Sequence, residues 1–151
     1  MPSDDIALMK QLLSMAKQAG KKGEVPIAAM LVDKHGTILA RAHNQVEANQ
    51  NPFHHAEIVV MQRAMKKIGK KYLLDCRLIT TLEPCHLCAA AIGLARIKTL
   101  VFGGYDEKMG GVLSGARLFA QKNCHHIPDI IDGILANESE KLMQEFFQNR
   151  R

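Results

Sequence analysis

A chain of 151 residues is the size of one ordinary domain and can bury a core without disulfide or metal staples. Hydrophobic residues make up 47% of it, yet no apolar run approaches the roughly eighteen residues of a membrane span, and the start, Met1-Pro2-Ser3-Asp4-Asp5, lacks the basic and apolar parts of a secretory signal. The formal net charge of +5 suits a polyanionic partner but is also common without one, and four cysteines, two of them a close pair, fit a reducing, cytoplasmic setting better than a disulfide framework.

No repeat, low-complexity block or linker divides the chain, so residues 1–151 are expected to form one domain. From Asp4 to Ala19, Ile6, Leu8, Met9, Leu12, Leu13, Met15 and Ala16 recur at helical spacing, with Ser3 or Asp4 as cap and Gly20 as terminator. Val25 to Val32 is apolar and uncharged, which predicts a buried strand. Asp33-Lys34-His35-Gly36 is a turn, and Thr37 to Ala42 returns as the second arm of a hairpin. After the break at Asn51-Pro52, the spacing predicts a helix from His55 to Met65, then a loop over Gly69 to Asp75. Arg77 to Leu82 reads as a strand stopped by Pro84, and Cys85 to Ala95 as a small-residue helix. Lys98 to Phe102 reads as a strand ended by Gly103-Gly104, Gly110 to Gly115 as a loop, and Ala116 to Gln121 as a short helix. An amphipathic helix runs from about Asn137 to Arg151, with Leu142, Met143, Phe146 and Phe147 inward. Alternating strands and helices argue for a layered α/β domain, with the Arg77–Leu82 and Lys98–Phe102 strands parallel.

Two short motifs carry chemistry, each at the expected start of a helix: His55-Ala56-Glu57 and Pro84-Cys85-His86-Leu87-Cys88. Positions three apart lie on one helix face, so Cys85 and Cys88 point two sulfurs at one ion. The free amides and dipole of a helix N-terminus favour thiolates, and Pro84 suits the strand-to-helix corner. Two thiolates and the His55 imidazole favour zinc over magnesium or calcium. Three protein ligands leave a tetrahedral position open, the arrangement of a catalytic site, for a water whose pKa zinc brings toward about 7. Glu57, two residues after His55, is placed as the acid/base that takes and returns that water's proton. Taken alone, Cys85-x-x-Cys88 also fits a redox pair or half of a structural zinc site, and Cys124-His125-His126 offers further ligands for the latter. His54 and His86 flank the ligands and are read as supporting them from behind or facing solvent, Cys76 as a small buried hydrophobe, and Asp106-Glu107-Lys108 as a charged loop.

His-x-Glu followed by Pro-Cys-x-x-Cys is the signature of zinc deaminases. With it, the chain resembles the cytidine deaminase-like superfamily and, within it, the bacterial tRNA-specific adenosine deaminases, the TadA family. The likeness runs through Gly23-Glu24-Val25-Pro26, His43-Asn44, His55-Ala56-Glu57-Ile58, Thr81-Leu82-Glu83-Pro84-Cys85, Cys88-Ala89, Phe102-Gly103-Gly104, Asp106, Gly110-Gly111 and the tail Phe146-Phe147-Gln148-Asn149-Arg150-Arg151. The resemblance implies a three-layer α/β/α fold whose mixed central sheet has about five strands. It implies one zinc ion per subunit on His55, Cys85 and Cys88, with Glu57 shuttling protons. It also implies hydrolysis of adenosine to inosine at the wobble position of a tRNA anticodon, arginine tRNA foremost, by a homodimer. Asn44 and Ala56 would then meet the flipped base, and Asp106, Lys108, Arg150 and Arg151 the RNA. The sequence departs from the family at Asn51-Pro52-Phe53-His54, where Asp-Pro-Thr-Ala is usual, so bulkier side chains stand at the rim of the expected pocket; Ala28 replaces a usual glycine. Two other readings share these residues: a deaminase of a free nucleobase or nucleoside, guanine or cytosine in type, and a zinc-stabilised binding module, against which Glu57 argues.

Overall fold

Strand side chains point alternately to opposite faces of a sheet, and in this chain both sets are apolar. In β1 (Ala28–Val32), Ala29 and Leu31 enter one core while Ala28, Met30 and Val32 enter another. β3 (Arg77–Leu82) divides Leu78 from Ile79 in the same way, and β4 (Thr99–Gly104) divides Leu100 and Phe102 from Val101. Each core needs its own cover. α2 (Ala56–Ile68) and α3 (His86–Ala95) supply it on one face; α1 (Pro2–Lys21) and α4 (Ala136–Gln148) supply it on the other. The result, in a computed structural model describing residues 2–150, is the expected three-layer α/β/α arrangement.

The sheet has the order β2-β1-β3-β4-β5, with β2 spanning Ile38–His43 and β5 spanning Asp129–Ile131. β1 pairs antiparallel with both β2 and β3, whereas β3, β4 and β5 run parallel. The hairpin and the parallel β3–β4 pair are as the sequence predicts. β5 is absent from the chain-order reading because it has three residues, of which Asp129 and Ile131 are exposed and Ile130 is half-buried. The strand count of five came from the family resemblance instead.

Several boundaries move, each for a local reason. α1 begins at Pro2, so Ser3 and Asp4 lie inside its first turn rather than capping it. It also runs through Gly20 and closes at Gly23, whose φ of 92° lets the Glu24 N–H reach back to the Ala19 carbonyl at 3.1 Å. Gly103 and Gly104 do not end β4 but belong to it. A Cβ on Gly103 would lie 2.6 Å from the Thr81 carbonyl oxygen, and one on Gly104 would lie 2.9 Å from both Ser139 Oγ and Glu140 Cγ. Gly104 lets α4 seat against the sheet, where buried Ser139 donates a hydrogen bond to the Thr81 carbonyl. The expected helix at Ala116–Gln121 is a single 3₁₀ turn, Leu118–Ala120. In α4, Leu142, Met143 and Phe146 are half-buried as expected, but Phe147 is half exposed. No described helix is long and apolar enough to cross a membrane.

Candidate active site

The N-termini of α2 and α3 meet beside the sheet. His55 is the N-cap of α2 and Cys85 the N-cap of α3, both with extended backbone angles, and Cys88 lies in the first turn of α3. Cys85 is therefore one residue outside the helix expected from its spacing. The His55 Nδ1, Cys85 Sγ and Cys88 Sγ atoms all lie within 4.8 Å of one another, with Nδ1 3.5 Å from the first sulfur and 3.4 Å from the second. This is the His/Cys/Cys group among the described residues that could hold a metal ion. Cys124 and His126 are turned to other work: the Cys124 thiol donates to the His126 carbonyl at 3.3 Å, and His126 Nε2 lies 2.6 Å from the Ile97 carbonyl. His125 is exposed. Cys76 is buried, as expected, and burial pushes its thiol pKa up.

The three candidate ligand groups shift one another's protons. A hydrogen bond from Cys88 holds the Cys85 thiol far below its ordinary pKa, at about 3, with His55 adding to the effect. Cys88 is pushed the other way by the same bond and by burial, so it keeps its proton. The Cys85 sulfur raises the His55 imidazole. Two sulfurs and an imidazole packed this closely are a donor set that suits a zinc ion.

Glu57 completes the group. It is 4% exposed, and burial raises its carboxyl pKa to about 7. Its Oε1 is buried with no hydrogen-bond partner in the protein. An orphaned carboxylate oxygen next to three soft ligands is what a metal site with a water on its open face requires, so the residues present fit zinc.

The group opens into a cleft of about 1440 Å³. Asn44 lines it, with its Oδ1 accepting the Ala56 N–H at 2.8 Å. Ala56 is fully buried and acts through that bond rather than by lining the cleft. Phe53, 61% exposed, forms part of the rim. His54 does not: its Nδ1 lies 2.9 Å from the Asn49 amide nitrogen and its Nε2 3.1 Å from that of Asn51, and it is not part of the group that could hold a metal ion. His86 is exposed on the cleft. Asp106 and Lys108 line one side; Lys141, Phe147 and Arg150 line the α4 side, Arg150 stacking 4.2 Å over Phe146. Arg151 lies outside the described residues.

Two buried carboxylates hold the loops that frame this cleft, and sequence reasoning gave neither a role. Glu24 accepts the Glu47 and Ala48 N–H groups at 3.0 and 2.8 Å, fixing the loop before Phe53. Glu83, 2% exposed, fixes the loop that carries Asp106 and Lys108. Its Oε2 accepts the N–H groups of Val112, Leu113 and Ser114 at 3.2, 3.0 and 2.9 Å; its Oε1 accepts the Asp106 N–H at 3.1 Å and the Ser114 hydroxyl at 2.9 Å. Gly110 packs so closely on Glu83 that a Cβ would lie 2.6 Å from Oε2, and one on Gly111 would lie 2.5 Å from His86 Cα. A glutamate between Leu82 and Pro84 was visible in the sequence, but its partners lie more than twenty residues away.

A mixed five-stranded sheet, with a His/Cys/Cys group and a buried glutamate where two helix N-termini converge, defines a nucleobase deaminase. The MafB19-like deaminase family matches residues 3–151. The tRNA-specific adenosine deaminase of Agrobacterium fabrum is 42% identical over 143 residues, 95% of this chain and 93% of the relative. A solved tRNA:A34 deaminase, described for A-to-I editing at the wobble position of transfer RNA, superposes with a TM-score of 0.86 at 42% identity, covering 89% of this chain and 96% of the other. The guanine deaminase of Bacillus subtilis is similar over a smaller part, with a TM-score of 0.62 at 33% identity, covering 64% of this chain and 62% of the other. The chain belongs to the tRNA-specific adenosine deaminase family.

Proposed function

We propose that this protein is a zinc-dependent hydrolase that converts adenosine to inosine at the wobble position of a tRNA anticodon. Arginine tRNA is the first candidate substrate. The observation that carries the chemistry is the unpartnered Glu57 Oε1 beside His55, Cys85 and Cys88. A zinc ion held by those three ligands would acidify a water molecule and so supply the nucleophile near neutral pH. Glu57, whose carboxyl pKa is raised by burial to about 7 in the metal-free protein, is placed to act as the acid/base. It takes a proton from the attacking water, delivers it to the adenine ring nitrogen, and passes a second to the departing amine. Water and adenosine thus give inosine and ammonia. Asn44, locked by Ala56, orients the base through the amide nitrogen that this bond leaves uncommitted.

The cleft favours an RNA substrate over a free base. At about 1440 Å³ it exceeds the range of roughly 300–1,000 Å³ typical of small-molecule pockets. An adenine in an anticodon loop is already largely unstacked and is extruded at low cost. Asp106, Lys108 and Arg150 then meet sugar and phosphate, and Arg151, next in the sequence, adds a further positive charge. One deaminase domain working as a homodimer in the cytoplasm completes the reading.

Inosine formation in an arginine tRNA anticodon stem-loop, assayed beside free adenosine, guanine and cytosine, tests the substrate. Activity on a free base with none on the stem-loop would move the protein to the deaminases of free bases and nucleosides. Glu57→Ala is expected to keep zinc and lose turnover; a variant as fast as the parent refutes the acid/base role.

A further inference from the structure

Tyr105 follows β4 directly and lines the cleft, its side chain still 38% exposed. The ring is braced on three sides. Buried Phe102 meets it edge-to-face, with centroids 5.6 Å apart and planes at 88°. The hydroxyl donates a short hydrogen bond to Asp132 Oδ2, just beyond β5. The backbone at Gly133, with φ of 77°, passes so near that a Cβ there would lie 3.0 Å from the tyrosine oxygen. An exposed tyrosine ordinarily keeps its rotamer freedom and offers its hydroxyl to whatever binds. Here the hydroxyl is spoken for and the ring's pose is fixed, so what the side chain presents to the cleft is an aromatic face.

We propose that the free face of Tyr105 is a stacking subsite for an unpaired nucleobase adjacent to the target adenine, with Asp132 as the residue that positions the ring. The inference rests on the tRNA reading given above. Extruding one base from a loop leaves its neighbours without a stacking partner, and a ring held rigid at the cleft wall replaces that partner with little ordering entropy lost on binding. Stacking on an aromatic face is tolerant of base identity, so this subsite secures a neighbour without adding a sequence requirement. Asp106 and Lys108, next along the same loop, line the same cleft.

The test uses anticodon stem-loops carrying the target adenine, intact or with an abasic residue on its 5′ or its 3′ side. Parent protein, Tyr105→Leu, Tyr105→Phe and Asp132→Asn are compared. Leucine retains apolar packing on Phe102 but has no π face, so a merely structural ring would be replaced without loss. The expected result is a rise in KM for the intact stem-loop of roughly 5- to 150-fold in Tyr105→Leu, falling on KM far more than on kcat, with zinc content unchanged. Tyr105→Phe and Asp132→Asn, which keep the ring but loosen its tether, should show smaller rises. An abasic residue on one of the two sides should raise the parent's KM by a similar factor and have no further effect in Tyr105→Leu. A KM in Tyr105→Leu within twofold of the parent overturns the subsite while leaving the substrate reading intact, as does an abasic penalty on each side that persists undiminished in that variant. A parent that deaminates a free nucleobase but no stem-loop overturns the substrate reading and the subsite together.

Discussion

Replacing Glu83 with glutamine changes one atom and removes one charge, which makes it a sharp probe of how the cleft is built. In the native chain both carboxylate oxygens are used: three amides converge on Oε2, and the Asp106 amide and Ser114 hydroxyl on Oε1. Glutamine can place its carbonyl oxygen at only one of these positions. If it takes the three-amide position, its NH₂ faces the Asp106 N–H, and that donor is left unsatisfied at a cost of about 1–3 kcal/mol. The remaining bonds also lose their charge assistance, since bonds to an ionised acceptor are roughly twice as strong as neutral ones. Together these put the penalty at about 3 kcal/mol or somewhat above. For a chain of this length that corresponds to a fall in Tm of roughly 6–12 °C if the loop unfolds with the rest of the molecule. If the loop opens by itself, Tm falls less and the KM for the stem-loop rises instead, because Asp106 and Lys108 lose their fixed places. Thermal unfolding and steady-state kinetics on the same zinc-loaded samples distinguish the two. A Glu83→Gln protein with Tm within 2 °C and kcat/KM within twofold of the parent would show that the five contacts do not hold the loop.

Changing Cys85 or Cys88 to alanine should abolish zinc retention through dialysis, and full occupancy by metal analysis in either variant would break the proposed ligand set. In the metal-free protein at neutral pH, Cys85 is already a thiolate while Cys88 holds its proton, so zinc uptake should release at least one proton per site; calorimetry in buffers of different ionisation enthalpy measures this. Glu57 has a folded pKa of about 7, raised from 4.5, so the folded state binds a proton more tightly there than the unfolded state does. Its stabilising contribution is present at acidic pH and is lost as pH rises from about 4.5 through 7, by up to about 1.4 kcal/mol per pH unit. The stability difference between metal-free parent and Glu57→Gln should follow that slope in urea unfolding, and a flat difference would disprove it. Arg77 Nη2 lies 2.8 Å from Asp5 Oδ1, outside hydrogen-bond angles, but it is the cation beside a fully buried carboxylate. Arg77→Met should therefore cost about 3–5 kcal/mol, much of it recovered by adding Asp5→Asn.

Apolar spacing, uncharged apolar runs and turn residues along the chain were enough to locate the four helices and four of the five strands among the described residues, because these signals are written into neighbouring residues. The ligands were legible for the same reason: His55 with Glu57, and Cys85 with Cys88, are short-range pairs whose spacing carries chemistry by itself. What lay beyond the sequence depends on contacts between distant segments. β5 is too short to have a pattern and exists because Thr99–Val101 offers it an edge. Gly103 and Gly104 look like a stop, yet the segment leading into α4 packs on the first and α4 itself on the second. Glu24 and Glu83 look like surface charges until the loops they anchor close over them, and Tyr105 looks like a loop residue until Asp132 and Phe102 fix it. Sequence alone determined the chemical groups and the helices that present them, since those are set by residue type and local spacing. Tertiary structure alone decided the shape of the cleft around them, since a loop's conformation is set by the distant hydrogen bonds that satisfy it.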